Sequence, residues 1–138
     1  MLKAILDSMP SLFNSPDAKG WKTLSYAAYK GYLEEVRYLL NQFQLSAEKS
    51  DSDGSFPIHK AVSGGHISIV KEFISVRPRT LYHVDMKGRT ILHIAVRYAK
   101  ADVLSYLTDE CSDIRKIFEF KDSDGKTFVD LAKLLKRS

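Results

Sequence analysis

Apolar and small residues recur along this chain in four copies of one phrase, and each copy begins with a glycine. The copies occupy residues 20–28, 54–62, 88–96 and 125–133, so successive glycines lie 34, 34 and 37 positions apart. Apolar residues at helical spacing follow each glycine. A period of this length indicates an array of stacked units in which each unit contacts only its neighbours. Such arrays present surfaces and rarely carry out chemistry.

The second copy shows how one unit is built. Residues 51–54 are short polar side chains followed by a glycine, a pattern that predicts a turn. Pro57 suits the first position of a helix, because a backbone N–H has no partner there. Gly64 and Gly65 interrupt the helical pattern, and Pro78 ends it. The apolar positions are Ile58, Ala61, Val62, Ile67, Val70, Phe73 and Ile74. Each unit is therefore predicted to be a turn, a short helix, a tight reversal and a longer helix.

Columns of equivalent residues predict one continuous core. Small side chains hold matched positions in the first helices, where they let neighbouring helices approach closely: Ala27, Ala28, Ala61, Ala95 and Ala132. The second helices align three columns: Leu33, Ile67 and Ala101; Val36, Val70 and Leu104; Leu39, Phe73 and Leu107. Glu35 interrupts a further column that contains Ile69 and Val103. We expect the Glu35 side chain to reach the surface at an edge of the stack.

The repeated phrase resembles the ankyrin repeat, a unit with a Gly-x-Thr-Pro-Leu-His-x-Ala-Ala phrase and a Gly-His reversal. The Thr-Pro-Leu-His segment reads KTLS at 22–25, FPIH at 56–59, TILH at 90–93 and TFVD at 127–130. The reversals are Gly31-Tyr32, Gly65-His66 and Ala99-Lys100. The resemblance implies an all-α solenoid of about three full units plus a half unit at each end. The first and last copies lack the Thr/His partnership, which should weaken them.

The detailed sequence of the repeats is similar to that of plant ankyrin–transmembrane proteins of the accelerated-cell-death type. Residues 26–40, 53–59 and 65–66 carry this resemblance, as does the expansion of three residues before Gly125. Members of that group have a C-terminal membrane region and are linked to defence and stress signalling. That region is absent here. We therefore expect a cytoplasmic chain, or one at the cytosolic face of a membrane if it is part of a longer protein.

The register of the repeat predicts a single domain with defined units. Residues 3–10 align with residues 71–78, two periods later, so the chain is expected to open on the second helix of a unit. The predicted organisation is a half unit at 1–19, full units at 20–53, 54–87 and 88–124, and a half unit at 125–138. Apolar residues in both half units favour a fragment or shortened form of a longer array. The alternative is that the half units serve as caps.

Composition and charge narrow the classes of function. Of 138 residues, 44% are hydrophobic and 28% are charged, so the chain can bury a core and remain soluble. Its 21 basic and 17 acidic residues are interspersed, and the net charge of +4 is too mild to indicate a nucleic-acid partner. The single Cys111 cannot form an internal disulfide, which fits a reducing compartment. No apolar run approaches the roughly 20 residues that span a bilayer.

Residues capable of chemistry are predicted to have structural roles. Residues 51–54 and 122–125 resemble the start of a calcium loop, but the glycine and glutamate required later in that loop are missing, so both are predicted to be turns. His59 and His93 occupy equivalent positions, and we expect each ring to order the turn beneath it by hydrogen bonding. His83 is expected on an exposed linker. The sequence therefore predicts no enzyme, no metal and no cofactor.

The predicted function is binding of a protein partner of unknown identity, with no small-molecule substrate. The alternative is a structural segment that extends a membrane-anchored array and has no partner of its own. The ankyrin resemblance implies that partners bind the hollow formed by the turn tips and the first helices. The tip positions are Trp21, Ser55, Arg89 and Lys126, and the first-helix positions are Tyr29, Lys30, Ser63, Arg97 and Tyr98. Trp21 is the strongest candidate, because no core column contains it. Tyr26 is placed nearer the core and left out.

Overall fold

The structure is a computed structural model that describes residues 21–137, with the side chains of residues 22–136. All regular structure in this range is helical. The α-helices are α1 (Trp21–Lys30), α2 (Leu33–Gln42), α3 (Pro57–Gly64), α4 (Ile67–Val76), α5 (Ile91–Arg97), α6 (Ala101–Glu110) and α7 (Phe128–Arg137). Short 3-10 helices follow α2, α4 and α6: Gln44–Glu48, Pro78–Tyr82 and Ser112–Ile117. The predicted half unit 1–19 lies outside the described residues.

Local sequence explains where the paired helices begin and end. Pro57 is the first residue of α3, as its pattern predicts. Gly65 ends that helix in the left-handed conformation, with φ 79°. The N–H of Gly65 then donates to the Val62 carbonyl, and the N–H of His66 donates to the Ala61 carbonyl. These bonds close the reversal, so that α4 can fold back onto α3.

The helices form two layers. In the inner layer α1, α3, α5 and α7 lie side by side, each in contact with the next. In the outer layer α2, α4 and α6 follow the same order, and each packs on the inner helix of its own unit. This is the predicted all-α solenoid. None of the described helices has the length and apolar character needed to cross a bilayer.

The core runs between the two layers, along the predicted columns. The column of Leu39, Phe73 and Leu107 is fully buried. The small residues of the inner helices are buried as well: Ala27, Ala28, Ala61 and Ala95. Since alanine keeps the inner helices close together, one continuous apolar layer serves all the described units.

Two expectations about the core columns are wrong. Glu35 is only 2% exposed, although its carboxylate was expected to reach the surface. The reason is register: Glu35 occupies the column of Ile69 and Val103, which are both buried, and the fold fixes its backbone there. In the column of Leu33, Ile67 and Ala101, the first two side chains are partly buried and pack against the core, but Ala101 is exposed, because these residues begin the outer helices beside the reversals.

Candidate partner-binding surface

The three described turn tips share one geometry, which the aspartate that opens each tip imposes. The Oδ1 atoms of Asp51, Asp85 and Asp122 each accept two hydrogen bonds of 2.9–3.0 Å from backbone N–H groups two and four residues further along. The tip glycines have positive φ angles: Gly54 at 76°, Gly88 at 70° and Gly125 at 75°. The predicted turns are confirmed, and one carboxylate oxygen of each opening aspartate is used by the backbone of its own turn.

Backbone hydrogen bonds join each tip to the next. The N–H of Met86 donates to the carbonyl of Asp53 at 3.2 Å, and the N–H of Ser123 donates to the carbonyl of Lys87 at 2.8 Å. Because both bonds are between main-chain groups of neighbouring units, they fix the register of the tips. The residues that follow the tip glycines are therefore presented from an ordered backbone.

His59 ties its own helix to the segment that leads to the next turn tip. Its Nδ1 accepts a hydrogen bond of 2.9 Å from the N–H of Phe56, so its Nε2 carries the hydrogen and donates to the carbonyl of His83 at 3.1 Å. Burial lowers the pKa of His59 from 6.5 to about 4, so the ring is neutral at neutral pH. The predicted role in ordering its own turn is confirmed, and the ring also binds the connecting segment at the end of its unit.

His93 makes the same bond to its own turn, but its second bond reaches the tip of the following unit. Its Nδ1 accepts a bond of 3.1 Å from the N–H of Thr90, and its Nε2 donates to the carbonyl of Lys126 at 2.8 Å. In the last copy Asp130 replaces the histidine, and its Oδ2 accepts a bond of 3.1 Å from the N–H of Thr127. A local cap is therefore retained in that copy even though the imidazole is lost.

His83 does not lie on an exposed linker, and that expectation is wrong. Its ring stacks on Phe56 with a centroid distance of 3.9 Å and an angle of 27° between the planes. Burial lowers the pKa of His83 below its usual value of 6.5. The physical reason is the hydrogen bond from the His59 imidazole to the backbone carbonyl of His83, which holds this segment against the first helix of the same unit.

Four of the predicted binding residues line one groove, which we call the tip groove. It has a volume of about 570 Å³ and is formed by Ser55, Arg89, Arg97, Tyr98, Asp53, Lys60, Asp85, Met86 and Lys87. The ring of Tyr98 is 50% exposed there. The guanidinium of Arg89 lies 4.0 Å from the carboxylate of Asp85. The groove therefore combines an open aromatic ring with two arginines, the residue types that are enriched at binding hot spots, and also contains two lysines.

The remaining predicted residues lie elsewhere on the inner helices or at the last tip. Tyr29 is 51% exposed at the end of α1, and Lys30 beside it is exposed. The hydroxyl of Ser63 donates to the carbonyl of Lys60 within α3 and is partly covered. Lys126 is half-buried, and its carbonyl binds His93. The side chain of Trp21 lies outside the described part of the chain.

Tyr26 was left out of the predicted surface, but its ring is 40% exposed. The ammonium of Lys30 lies 5.8 Å from the centre of this ring, so the two side chains form one cationic and aromatic patch. Alignment of the repeats could have predicted that Tyr26 is exposed, because Tyr26 holds the position equivalent to Lys60, which lines the tip groove.

Groups that could carry metal or thiol chemistry are few in the described range. Within residues 21–137, no set of three His, Cys, Asp or Glu side chains is placed to hold a metal ion. Burial raises the pKa of the Cys111 thiol above its usual value of 9.0, which disfavours the reactive thiolate. Cys111 also packs against the core, consistent with the predicted structural role.

Comparisons with known proteins agree with this geometry. The model of the family described as ankyrin repeats (3 copies) matches residues 1–77, 24–118 and 58–134. Protein ACCELERATED CELL DEATH 6 of Arabidopsis thaliana is 43% identical over 61 residues, which are 44% of this chain and 9% of that protein. The NF-kappa-B inhibitor cactus of Drosophila melanogaster is 30% identical over 96 residues, which are 70% of this chain and 16% of that protein. This chain thus spans only a small part of the length of either relative.

The family assignment rests on independent features. The matched segments overlap and together cover residues 1–134. The same residues that carry the repeated phrase build the turn tips, the histidine bridges and the glycine reversals of the structure. The chain belongs to the ankyrin-repeat family.

Proposed function

We propose that this chain is a non-catalytic module that binds a partner protein through the tip groove and the adjoining face of the inner helices. The single observation that carries the proposal is the tip groove itself, where residues from two tips and two inner helices line a volume of about 570 Å³. Protein-interaction sites favour such concave surfaces with exposed aromatic and arginine side chains. Ankyrin repeats are protein-interaction modules, which supports the same function.

The scaffold beneath this surface is suited to binding. The tips are joined by main-chain hydrogen bonds, and the buried imidazole of His93 connects its unit to the next tip. A surface held in place in this way loses little conformational entropy when a partner binds. The side chains of Tyr98 and Arg97 can therefore serve as anchors without ordering of the backbone.

We further propose a role in plant defence or stress signalling, in the cytoplasm or at the cytosolic face of a membrane. The support is the similarity to Protein ACCELERATED CELL DEATH 6, whose name refers to cell death. The similarity covers 44% of this chain.

A titration with matched tyrosine variants tests the binding surface. The purified chain is exposed to plant leaf extract, and each retained protein is produced separately and titrated against it. Tyr98→Ala should weaken binding at least about tenfold, the effect of losing one hot-spot residue. Tyr38→Ala is the control, because Tyr38 is exposed on outer helix α2 and should contribute nothing. Loss of binding in the Tyr38 variant alone would place the partner on the outer face and contradict the proposal.

A second candidate is a structural segment that only extends a longer array. The observation that favours it is the apolar surface of α7, where Val129, Leu134 and Leu135 are exposed. In that case the purified chain should self-associate through α7, and Leu134→Lys with Leu135→Lys should restore a monomer. Titrated partners would then be insensitive to Tyr98→Ala.

A further inference from the structure

Charged side chains are unequally divided between the two helix layers. The inner helices α1, α3 and α5 contain four basic residues and no acidic ones, a net charge of +4: Lys22, Lys30, Lys60 and Arg97. The outer helices α2, α4 and α6 contain two basic residues, Arg37 and Lys71, and six acidic ones, a net charge of −4. The mild charge of the whole chain therefore conceals a basic inner face and an acidic outer face.

The outer cations are used within the fold. Arg37 lies 3.0 Å from the carboxylate of Glu34 and 3.1 Å from that of Glu72. The ammonium of Lys71 lies 5.0 Å from the centre of the Tyr106 ring. The same contacts use the carboxylates of Glu34 and Glu72, and Glu35 is buried. Among the described residues, the outer-helix carboxylates that are exposed without an ion pair are therefore Asp102, Asp109 and Glu110 of α6.

The inner cations are mostly left unneutralised. Lys22, Lys30 and Arg97 are exposed, and none of them has a carboxylate within ion-pair distance among residues 21–137. Lys60 is partly covered and lies 3.5 Å from the carboxylate of Asp51. The free charges therefore lie along the face that the proposed function assigns to the partner.

The tip groove adds to this positive surface. Lys87 and Arg89 line it together with Lys60 and Arg97. Its acidic neighbour Asp85 has a side chain only 7% exposed, and that carboxylate already accepts two backbone N–H groups and faces Arg89. Of the two carboxylates that line the groove, that of Asp85 is thus used by the turn and by Arg89, whereas that of Asp53 is exposed. Of the four cations, the Arg89 side chain is only 17% exposed and Lys60 faces Asp51, so Lys87 and Arg97 carry the positive charge that faces outward.

Building on the proposed binding function, we propose that the partner presents an acidic peptide segment, which lies along the inner helices and enters the tip groove. Carboxylates of such a segment would complement the free cations of α1 and α5, and its apolar side chains would contact the exposed rings of Tyr29 and Tyr98. The middle unit presents the small residues Ser63 and Gly64 at the positions equivalent to these rings. The two tyrosines therefore flank a lower stretch of surface in which a peptide can lie.

A peptide accounts for the surface better than a nucleic acid does. Asp53 is exposed at the rim of the tip groove and would repel a chain of phosphates. A peptide can place an apolar or polar side chain beside Asp53 and reserve its carboxylates for Lys87 and Arg97. Electrostatic attraction of this kind mainly accelerates association and selects the partner.

Display selection identifies the charge of the ligand. A library of random peptides is selected on the immobilised chain, and the enriched sequences are compared with those of the unselected library. Enrichment of Asp and Glu together with an aromatic or aliphatic residue is the expected result. Enrichment of neutral or basic peptides would overturn the acidic partner but preserve the interaction function. If nothing is enriched here and the leaf extract also yields no partner, both proposals fail.

Charge-reversal variants locate the ligand. The most enriched peptide is synthesised with a fluorophore and titrated by anisotropy. Lys30→Glu combined with Arg97→Glu should weaken its binding at least about tenfold, and added salt should weaken native binding further. The control is Arg115→Glu combined with Lys121→Glu, which changes the net charge equally at exposed residues off the inner helices. Equal losses in both variants would show that only net charge matters, and no loss in either would place the peptide elsewhere.

A nucleic-acid probe completes the test. A single-stranded DNA of matched negative charge is titrated in the same buffer, and circular dichroism confirms that every variant keeps its helical content. Weaker binding of the DNA than of the peptide is expected. Tighter binding of the DNA, lost in the inner variant, would replace the acidic peptide with a nucleic acid as the ligand of this face.

Discussion

The imidazole of His59 joins the two ends of its unit, with its Nε2 donating to the carbonyl oxygen of His83 at 3.1 Å. Its Nδ1 at the same time accepts the N–H of Phe56 at 2.9 Å. Only the neutral tautomer with hydrogen on Nε2 makes both bonds, because protonation would place a second hydrogen where the N–H of Phe56 points. The packing of the segment that leads to the third unit is therefore coupled to the protonation of one buried side chain.

The first prediction concerns acid stability. The pKa of His59 is lowered by burial to about 4 from 6.5, so the unfolded chain binds a proton at a higher pH than the folded chain does. The stabilisation by neutral His59 is complete above about pH 6.5 and is lost as the pH falls to about 4. The loss should reach about 3 kcal/mol in the free energy of unfolding. Urea unfolding followed by circular dichroism across this range measures it.

The control for this prediction is His59→Gln, which removes the titrating group. Burial also lowers the pKa of His83, so that residue contributes with the same sign, and Glu48 with its lowered pKa contributes in more acidic solution. The variant should be less stable than the native chain at neutral pH, but its stability should fall less between the two limits. Identical slopes for the two chains would show that His59 does not titrate as stated.

The structure also shows why the repeat was readable from the sequence. Gly54 and Gly65 have positive φ angles, Pro57 begins a helix, and Ala61 is buried where inner helices meet. Each of these residue types is required by local backbone geometry or by contact with a neighbouring unit of similar sequence. The structure predicted for one unit therefore applies to the others, and the spacing of the glycines gives the number of units.

What the sequence did not reveal depends on contacts that exist only in the folded chain. Glu35 is buried because it lies in the column of Ile69 and Val103, whereas a charged side chain in a sequence pattern indicates exposure. The stacking of His83 on Phe56 depends on the hydrogen bond from the His59 imidazole to the backbone carbonyl of His83. Tyr26 follows the apolar period of its helix, yet its ring is held outward beside Lys30. Helical spacing alone cannot identify these arrangements, because each of them is fixed by a partner in three dimensions.

The second prediction separates backbone strain from packing at the tips. Gly54→Ala and Gly125→Ala place the same methyl group on nearly the same backbone, with φ of 76° and 75°. A Cβ on Gly54 would lie 2.5 Å from the backbone nitrogen of Met86, whereas a Cβ on Gly125 would meet nothing within 4 Å. Gly125→Ala should cost about 1–2 kcal/mol from the left-handed backbone alone.

Gly54→Ala should cost more, by at least about 1 kcal/mol, because the next tip must move away. Chemical unfolding of both variants against the native chain measures the difference. Equal costs would show that the contact between successive tips adjusts freely, contrary to the fixed register described above.

The third prediction concerns the reversal of the third unit. Ala99 has φ 55°, whereas the equivalent Gly31 and Gly65 have φ 87° and 79°. Because glycine adopts this region without steric cost, Ala99→Gly should stabilise the fold by about 0.5–1 kcal/mol. Ala132→Gly is the control: it lies exposed within α7 and should destabilise by up to about 1 kcal/mol. Urea unfolding measures the change in the free energy of unfolding for both variants. Destabilisation by Ala99→Gly would contradict the backbone strain assigned to Ala99.

The last prediction tests the buried cap of α5. The Oγ1 of Thr90 accepts hydrogen bonds from the N–H groups of Leu92 and His93, at 3.2 and 3.3 Å, and the whole residue is buried. Thr90→Val keeps the shape but leaves both N–H groups without this acceptor, so it should cost about 1–2 kcal/mol.

The matched control for the cap is Thr127→Val at the start of α7. Its Oγ1 accepts one bond of 3.2 Å, from the N–H of Asp130, and the residue is only half-buried, so water can replace the hydroxyl. This substitution should cost less than Thr90→Val. Amide hydrogen exchange supplies a local readout, since the N–H groups of Leu92 and His93 should exchange faster in the Thr90 variant. Unchanged exchange at both amides would show that the cap does not protect the first turn of α5.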